Sequence, residues 1–214
     1  LCADAGDRSH GINNKIKRFH TDHPETSKRL HVDHRIAQCL SSFDTISLDG
    51  LNQKAAMLER LDNKYIVPAA RLLPAFERFS DLFDVLQIEG KRAFTYATEY
   101  FDDTEAQAYH DHHQGRRKRC KVRIRNYVDA GFSYLEVKLK DLRGATQKKR
   151  LKMRADARGL SAESLAFIDT CHNDMYGIPL GRDLVPVIGM EYERITLVAK
   201  EGGERMTIDT RMTF

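Results

Sequence analysis

The run Lys121-Val-Arg-Ile-Arg125 alternates basic and apolar residues without a break. A period of two belongs to a β-strand, whose successive side chains leave on opposite faces. Lys121, Arg123 and Arg125 therefore share one face, and Val122 and Ile124 share the other. On an open sheet such a face is simply wet, but a solvated face usually mixes signs. These cations stand about 7 Å apart with no acid between them. Closely spaced, uncompensated cations call for an anion.

The same alternation recurs along the chain. Strands are expected over Met57–Val67, Phe94–Asp103, Arg119–Val128, Tyr134–Lys140, Thr146–Met153, Met190–Lys200 and Glu204–Phe214, the last two joined by a turn at Glu201–Gly203. Apolar residues at three- and four-residue spacing predict one helix over 71–88, with Pro74 in its opening turn and Gly90 beyond its end. Shorter helices are expected over Glu105–His113 and Ala162–Asn173. Many strands with few helices favour an antiparallel barrel or sandwich over a parallel sheet.

One face of these strands collects Arg60, Asp62 and Lys64; Lys121, Arg123 and Arg125; Glu136, Lys138 and Lys140; and Lys148 and Arg150. Closed into a barrel of about eight strands, the sheet would turn these charges into a polar lumen. The planar fork of arginine and the point charge of lysine suit a polyphosphate better than a carboxylate. Asp62 and Glu136 would be counter-ions that hold the cations in place or oxygen ligands for a divalent metal. Asp62 reads better as a counter-ion; for Glu136 both roles stay open, and it is the one candidate metal ligand.

The totals agree with one principal domain. The 214 residues carry a net charge of only +4, but residues 115–125 and 143–158 each hold seven Lys or Arg. No apolar run approaches the roughly 18 residues of a membrane helix. Cys2, Cys39, Cys120 and Cys171 are scattered, lack C-x-x-C spacing and read as reduced thiols in a cytoplasmic setting. Residues 1–48, rich in histidine, show no sustained period and read as a flexible or unassigned arm before a domain over 49–214. His110, His112 and His113 crowd too closely to read as a metal set.

The blocks RLDNKYIVP, YFDDTEAQAYHDHHQGRRKRCKVRIRNY, LEVKLK, QKKR, YERITL and ERMTIDT stand in an order that resembles the polyphosphate-polymerase or VTC domain family. That family is a branch of the triphosphate tunnel metalloenzymes, related to the CYTH domains. The resemblance covers about residues 50–214. It implies an α+β fold, an antiparallel β-barrel tunnel of about eight strands with flanking helices. It also implies transfer of the terminal phosphate of ATP onto polyphosphate, with manganese or magnesium as cofactor.

Carried over residue by residue, the phosphate-binding positions are Lys64, Arg123, Arg125, Lys138, Lys148, Arg194 and Arg205. Arg150 joins them from the alternation, Lys64, Arg123, Arg125 and Lys138 are the catalytic candidates, and Arg60, Asp62, Lys121 and Lys140 are supporting. In the family a metal-binding glutamate stands on a later strand, beyond Phe214, so the barrel is expected to be incomplete at the C-terminus. The two glutamates of the wider superfamily's acidic motif are replaced here by Arg60-x-Asp62-x-Lys64. The resemblance leaves room for a membrane-protein partner.

Two other readings compete. A nucleic-acid module would use RRKRCKVRIR as a backbone footprint, but it calls for stacking aromatics among the cations, and none lies between Lys121 and Arg125. A non-catalytic tunnel that binds or senses polyphosphate is the second. Nucleic acid is not the expected partner; ATP and inorganic polyphosphate are.

Overall fold

The computed structural model describes residues 34–55, 63–141 and 144–214. Its eight strands are β1 (Thr45–Ile46), β2 (Phe83–Leu86), β3 (Ala93–Asp102), β4 (Arg119–Tyr127), β5 (Phe132–Lys140), β6 (Thr146–Met153), β7 (Val185–Ala199) and β8 (Arg205–Thr213). Its helices are α1 (residues 34–40), α2 (Leu48–Ala55), α3 (Ala69–Leu82), α4 (Gln107–His113) and α5 (Ala162–Tyr176).

All eight strands join one sheet, in which β8 flanks β7, β3 follows on the other edge of β7, and β4, β5 and β6 complete the series. Every pairing is antiparallel except β1 with β2. β2 and β3 meet the same edge of β7, at Val85↔Leu197 and Ala93↔Ile195, so they behave as one long strand interrupted by residues 87–92. The sheet curls strongly into a half-barrel. The fold is thus the expected antiparallel α+β arrangement, with the cylinder open between β6 and β8.

Two apolar clusters clothe the outer face. Val122, Ile124, Leu135, Val137 and Leu139 are each at most 3% exposed and pack under Ile168 and Cys171 of α5. That helix starts where Ser161 Oγ accepts the Ser164 amide at 3.2 Å and ends at Gly177, whose φ of 78° a side chain would strain. Phe83, Val85, Ile195 and Leu197 pack under Leu73 and Phe76 of α3 and under Ile36, Leu40 and Phe43. Because odd positions of β4 and even positions of β7 turn away from both clusters, the polar side chains gather on the inner face. There Glu136 is fully buried and Arg125 nearly so, although neither lies under a packed helix core.

Three expectations are corrected. The helix over 71–88 stops at Leu82: Phe83 is extended (φ −130°, ψ 146°), and residues 83–85 pair with β7, burying Phe83 and Val85. Cross-strand pairing overrides the helical period here. Secondly, the arm expected over 1–48 is folded from residue 34 onward, because Ile36, Leu40 and Phe43 are buried in the core and β1 pairs with β2. Residues 1–33 lie outside the described residues. Finally, the strand over Met57–Val67 does not form where it can be seen: 63–68 join no ladder, and Tyr65 and Ile66 are wholly exposed just before Pro68. Arg60 and Asp62 lie outside the described residues.

Candidate phosphate tunnel

The register sets the inner-face side chains in rungs across the sheet. One rung runs Tyr100, Arg123, Glu136, Arg150; the next holds Lys121, Lys138 and Lys148; the one after pairs Arg119 with Lys140. In the other direction Thr98, Arg125, Tyr134 and Lys152 line up, and beyond them Tyr192, Tyr96, Tyr127 and Phe132 form an aromatic row. The structure therefore brings Arg123, Arg125, Lys138, Lys148, Arg150, Lys121 and Lys140 onto one surface. Strand pairing does this work, because each strand supplies only every second residue.

Glu136 sits at the centre of the cluster. Its Oε2 accepts from Arg123 Nε at 2.7 Å and lies 2.5 Å from Nη2, while Oε1 accepts from Arg150 Nε at 3.1 Å and pairs with Lys148 Nζ. Burial works to raise this carboxyl, but the charge of Arg123 and the hydrogen bonds from Lys148 and Arg123 outweigh it and hold the pKa at about 2. Both oxygens face cations, so Glu136 is a counter-ion here, and the metal-ligand alternative is not what this geometry builds. Among the described residues no group of three His, Cys, Asp or Glu side chains could hold a metal ion. The described donor set does not fit a protein-held divalent metal.

The lysines carry the opposite signature. Burial pushes Lys148 down to about 8, with Arg150 and Arg123 adding repulsion and the Glu136 hydrogen bond opposing it. Burial likewise lowers Lys138, helped by Arg123 and Arg125. Burial lowers Lys121 too, with the charges of Lys64, Arg119 and Arg123 acting in the same direction. Lys64, on its exposed extended segment, is within electrostatic reach of Lys121 but belongs to no rung. Within the cluster Glu136 is one acid among many cations.

Arg123 and Arg125 are held by partners that the sequence did not flag. Tyr100 Oη accepts from Arg123 Nη1 at 2.9 Å, and its ring lies under the same guanidinium. Thr98 Oγ1 accepts from Arg125 Nε at 3.4 Å. Tyr96 and Tyr192 stack nearly parallel, with ring centroids 5.4 Å apart and interplanar angle 7°, and both Arg125 and Arg194 lie over these rings. The signal was present in FTYATEY, where Tyr96, Thr98 and Tyr100 alternate on one face.

Arg194 is gripped by Asp209 through two hydrogen bonds of 2.6 and 2.7 Å, a bidentate pair that aims the guanidinium at the aromatic row. Arg205 is not brought to the cluster. It pairs with Val198 at the far end of the β7–β8 ladder, where Val198 and Leu86 pack against Leu51 of α2. His112, on α4, feels the charges of Lys121 and Arg119. Burial and those two charges lower its pKa, and its Nδ1 is buried without a hydrogen-bond partner.

No helix among the described residues is long and apolar enough to cross a membrane. No curated protein sequence matches the chain. The family model for the VTC domain matches residues 59–214, the stretch that contains the rungs of cations. The chain belongs to the VTC domain family, within the triphosphate tunnel (CYTH-like) superfamily.

Proposed function

We propose that the inner face binds polyphosphate and the triphosphate of ATP, and that it promotes transfer of the terminal phosphoryl group from ATP to the chain. VTC membership points to polyphosphate. The observation that carries the rest is the rung of Lys121, Lys138 and Lys148 set beside that of Arg123 and Arg150, around a single committed carboxylate; burial lowers the pKa of all three lysines. Such a surface is poorly balanced alone and well balanced with a polyanion.

Phosphoryl transfer asks little covalent help from protein and much positioning and charge neutralisation. A terminal oxygen of the acceptor chain attacks the γ-phosphorus, the bond from that phosphorus to the β,γ-bridging oxygen breaks, and ADP leaves with the electron pair. Arg123 and Arg125, held straight by Tyr100 and Thr98, present their remaining N–H groups to the phosphate oxygens. Lys138 and Lys121 neutralise the adjoining charge. Manganese or magnesium, in this proposal, arrives on the nucleotide phosphates.

A second reading, binding without turnover, is favoured by one observation: among the described residues the carboxylate at the centre of the cluster is already committed to three cations. One experiment separates the two. Tripolyphosphate binding and ADP release from ATP are measured for the wild type, Arg123→Ala, Lys138→Ala and, as control, Lys118→Ala. Lys118 Nζ lies over the Tyr176 ring of α5, on the helix side of the sheet. Loss of both activities in the first two variants supports the transferase. Binding without ADP release supports the second reading. Equal effects in all three variants would sink the tunnel assignment.

A further inference from the structure

We infer that the stacked rings of Tyr127 and Phe132, at the inner end of the cation rungs, are the platform for the nucleobase of the phosphoryl donor. This rests on the reading above and deepens it: it places the donor's base and fixes which way its triphosphate runs, with the terminal phosphate pointing away from the β4–β5 turn.

The two residues face each other across the β4–β5 ladder, and their rings stack with centroids 4.8 Å apart and an interplanar angle of 25°. Tyr96 and Tyr134 brace Tyr127 edge-on, with centroids 5.1 and 6.0 Å away. Elsewhere on this face arginines already lie over the rings: Arg123 over Tyr100, Arg150 over Tyr134, and Arg125 and Arg194 over both Tyr96 and Tyr192. Among the described residues no cation lies over Tyr127 or Phe132. Both are only half-buried, and neither belongs to an apolar core cluster. They are aromatic surface in a charged lumen, with no packing role that accounts for them.

The turn that carries the pair is tied down. Asp129 accepts from Lys91 Nζ at 2.7 Å and from the Thr95 amide at 2.6 Å, which pins the turn to the start of β3. Gly131, with φ of 65°, lets the chain double back so that Phe132 lands opposite Tyr127.

Spacing decides the orientation. Tyr127 follows Arg125 by two residues and Arg123 by four, about 7 and 14 Å along the strand. A triphosphate held by these arginines therefore leaves its nucleoside within reach of the pair. Turned the other way, the base would meet the rungs of Lys121, Lys138 and Lys148 and of Arg119 and Lys140, which offer it no ring. A single platform serves a single base, so a mononucleotide fits it better than a nucleic-acid strand, which calls for a ring at each successive base.

The test compares affinities for ATP, ribose 5-triphosphate, tripolyphosphate and a single-stranded oligonucleotide at one fixed salt concentration, in the wild type, Tyr127→Leu, Phe132→Leu and Arg123→Ala. Ribose 5-triphosphate keeps the charge of ATP and lacks the base. The wild type is expected to bind ATP about tenfold more tightly than ribose 5-triphosphate, the size of one base stacked on an aromatic side chain. Each leucine variant should erase that difference and keep tripolyphosphate affinity within about twofold. Equal wild-type affinities for ATP and ribose 5-triphosphate overturn the platform while the tunnel stands, and that comparison decides alone if the leucine variants do not fold. A preference for ATP that survives in either leucine variant overturns it too. An oligonucleotide that outbinds ATP and loses its advantage in Tyr127→Leu gives the rings to nucleic acid instead. If Arg123→Ala leaves every ligand unaffected, the tunnel reading fails first, and the platform falls with it.

Discussion

Glu136 is fully buried against Arg123, Arg150 and Lys148. Removing one partner of a buried ion cluster leaves the others unpaired, which typically costs about 3–5 kcal/mol. Glu136→Gln is therefore expected to lower the denaturant midpoint by roughly that free energy, and added tripolyphosphate should restore part of the loss. A midpoint unchanged from the wild type would show that the cations do not depend on this carboxylate. Because Glu136 sits at about 2, its contribution is present above the ordinary carboxylate range and is lost only as pH falls towards that value.

Lys148 works in the reverse sense. With its pKa down at about 8, folding favours its neutral form, so its contribution to the stability of the empty protein improves as pH rises from there towards the ordinary lysine value of 10.5. Anion binding needs the charged form. Tripolyphosphate affinity should accordingly fall as pH rises through about 8, and Lys148→Arg, which keeps its charge, should flatten that fall. Isothermal titration on either side of this pH measures it. An unchanged slope in Lys148→Arg would assign the pH dependence elsewhere.

Among the elements, α3 shows how the sheet is held from outside. Phe76 is completely buried and meets Phe43 and Phe79 edge-on, with centroids 5.9 and 6.5 Å away. Phe76→Ala should cost about 3–5 kcal/mol in chemical denaturation, because this cluster unites α3, the residues after α1, and strands β2 and β7. A cost below about 1 kcal/mol would mean that α3 merely rests on the sheet. The same helix marks the limit of periodicity as a guide. Phe79, Leu82, Phe83 and Leu86 keep helical spacing, yet the chain turns extended at Phe83 because β7 offers Phe83 and Val85 partners in Ala199 and Leu197. A local pattern cannot register a partner more than a hundred residues away.

At the scale of the whole molecule, the strands from β3 to β8 were legible because each is eight or more residues long and carries a period of two over part or all of that length, least cleanly in β6. The short β1 and β2 were not, since two and four residues carry no period. The cations of the site were legible for the same reason, as Lys121, Arg123, Arg125, Lys138, Lys148 and Arg150 all obey strand parity. Their supports were less so: Tyr100, Thr98 and Asp209 become partners only when β3 and β8 are laid beside β4 and β7. The aromatic neighbours of these cations come from other strands. No aromatic lies between Lys121 and Arg125 in sequence, but Tyr96, Tyr100 and Tyr134 reach the same surface from neighbouring strands.

In β4 the odd positions belong to the lumen and the even ones to the core under α5, so the strand carries two messages in one reading frame. Exchanging one cation for another edits a letter. Inserting or deleting a single residue would shift the frame, driving Arg123 and Arg125 into the apolar layer and Val122 and Ile124 into the lumen. Such a sheet is permissive to substitution and intolerant of changes in length, and variation in this domain should gather in its turns, where the frame resets.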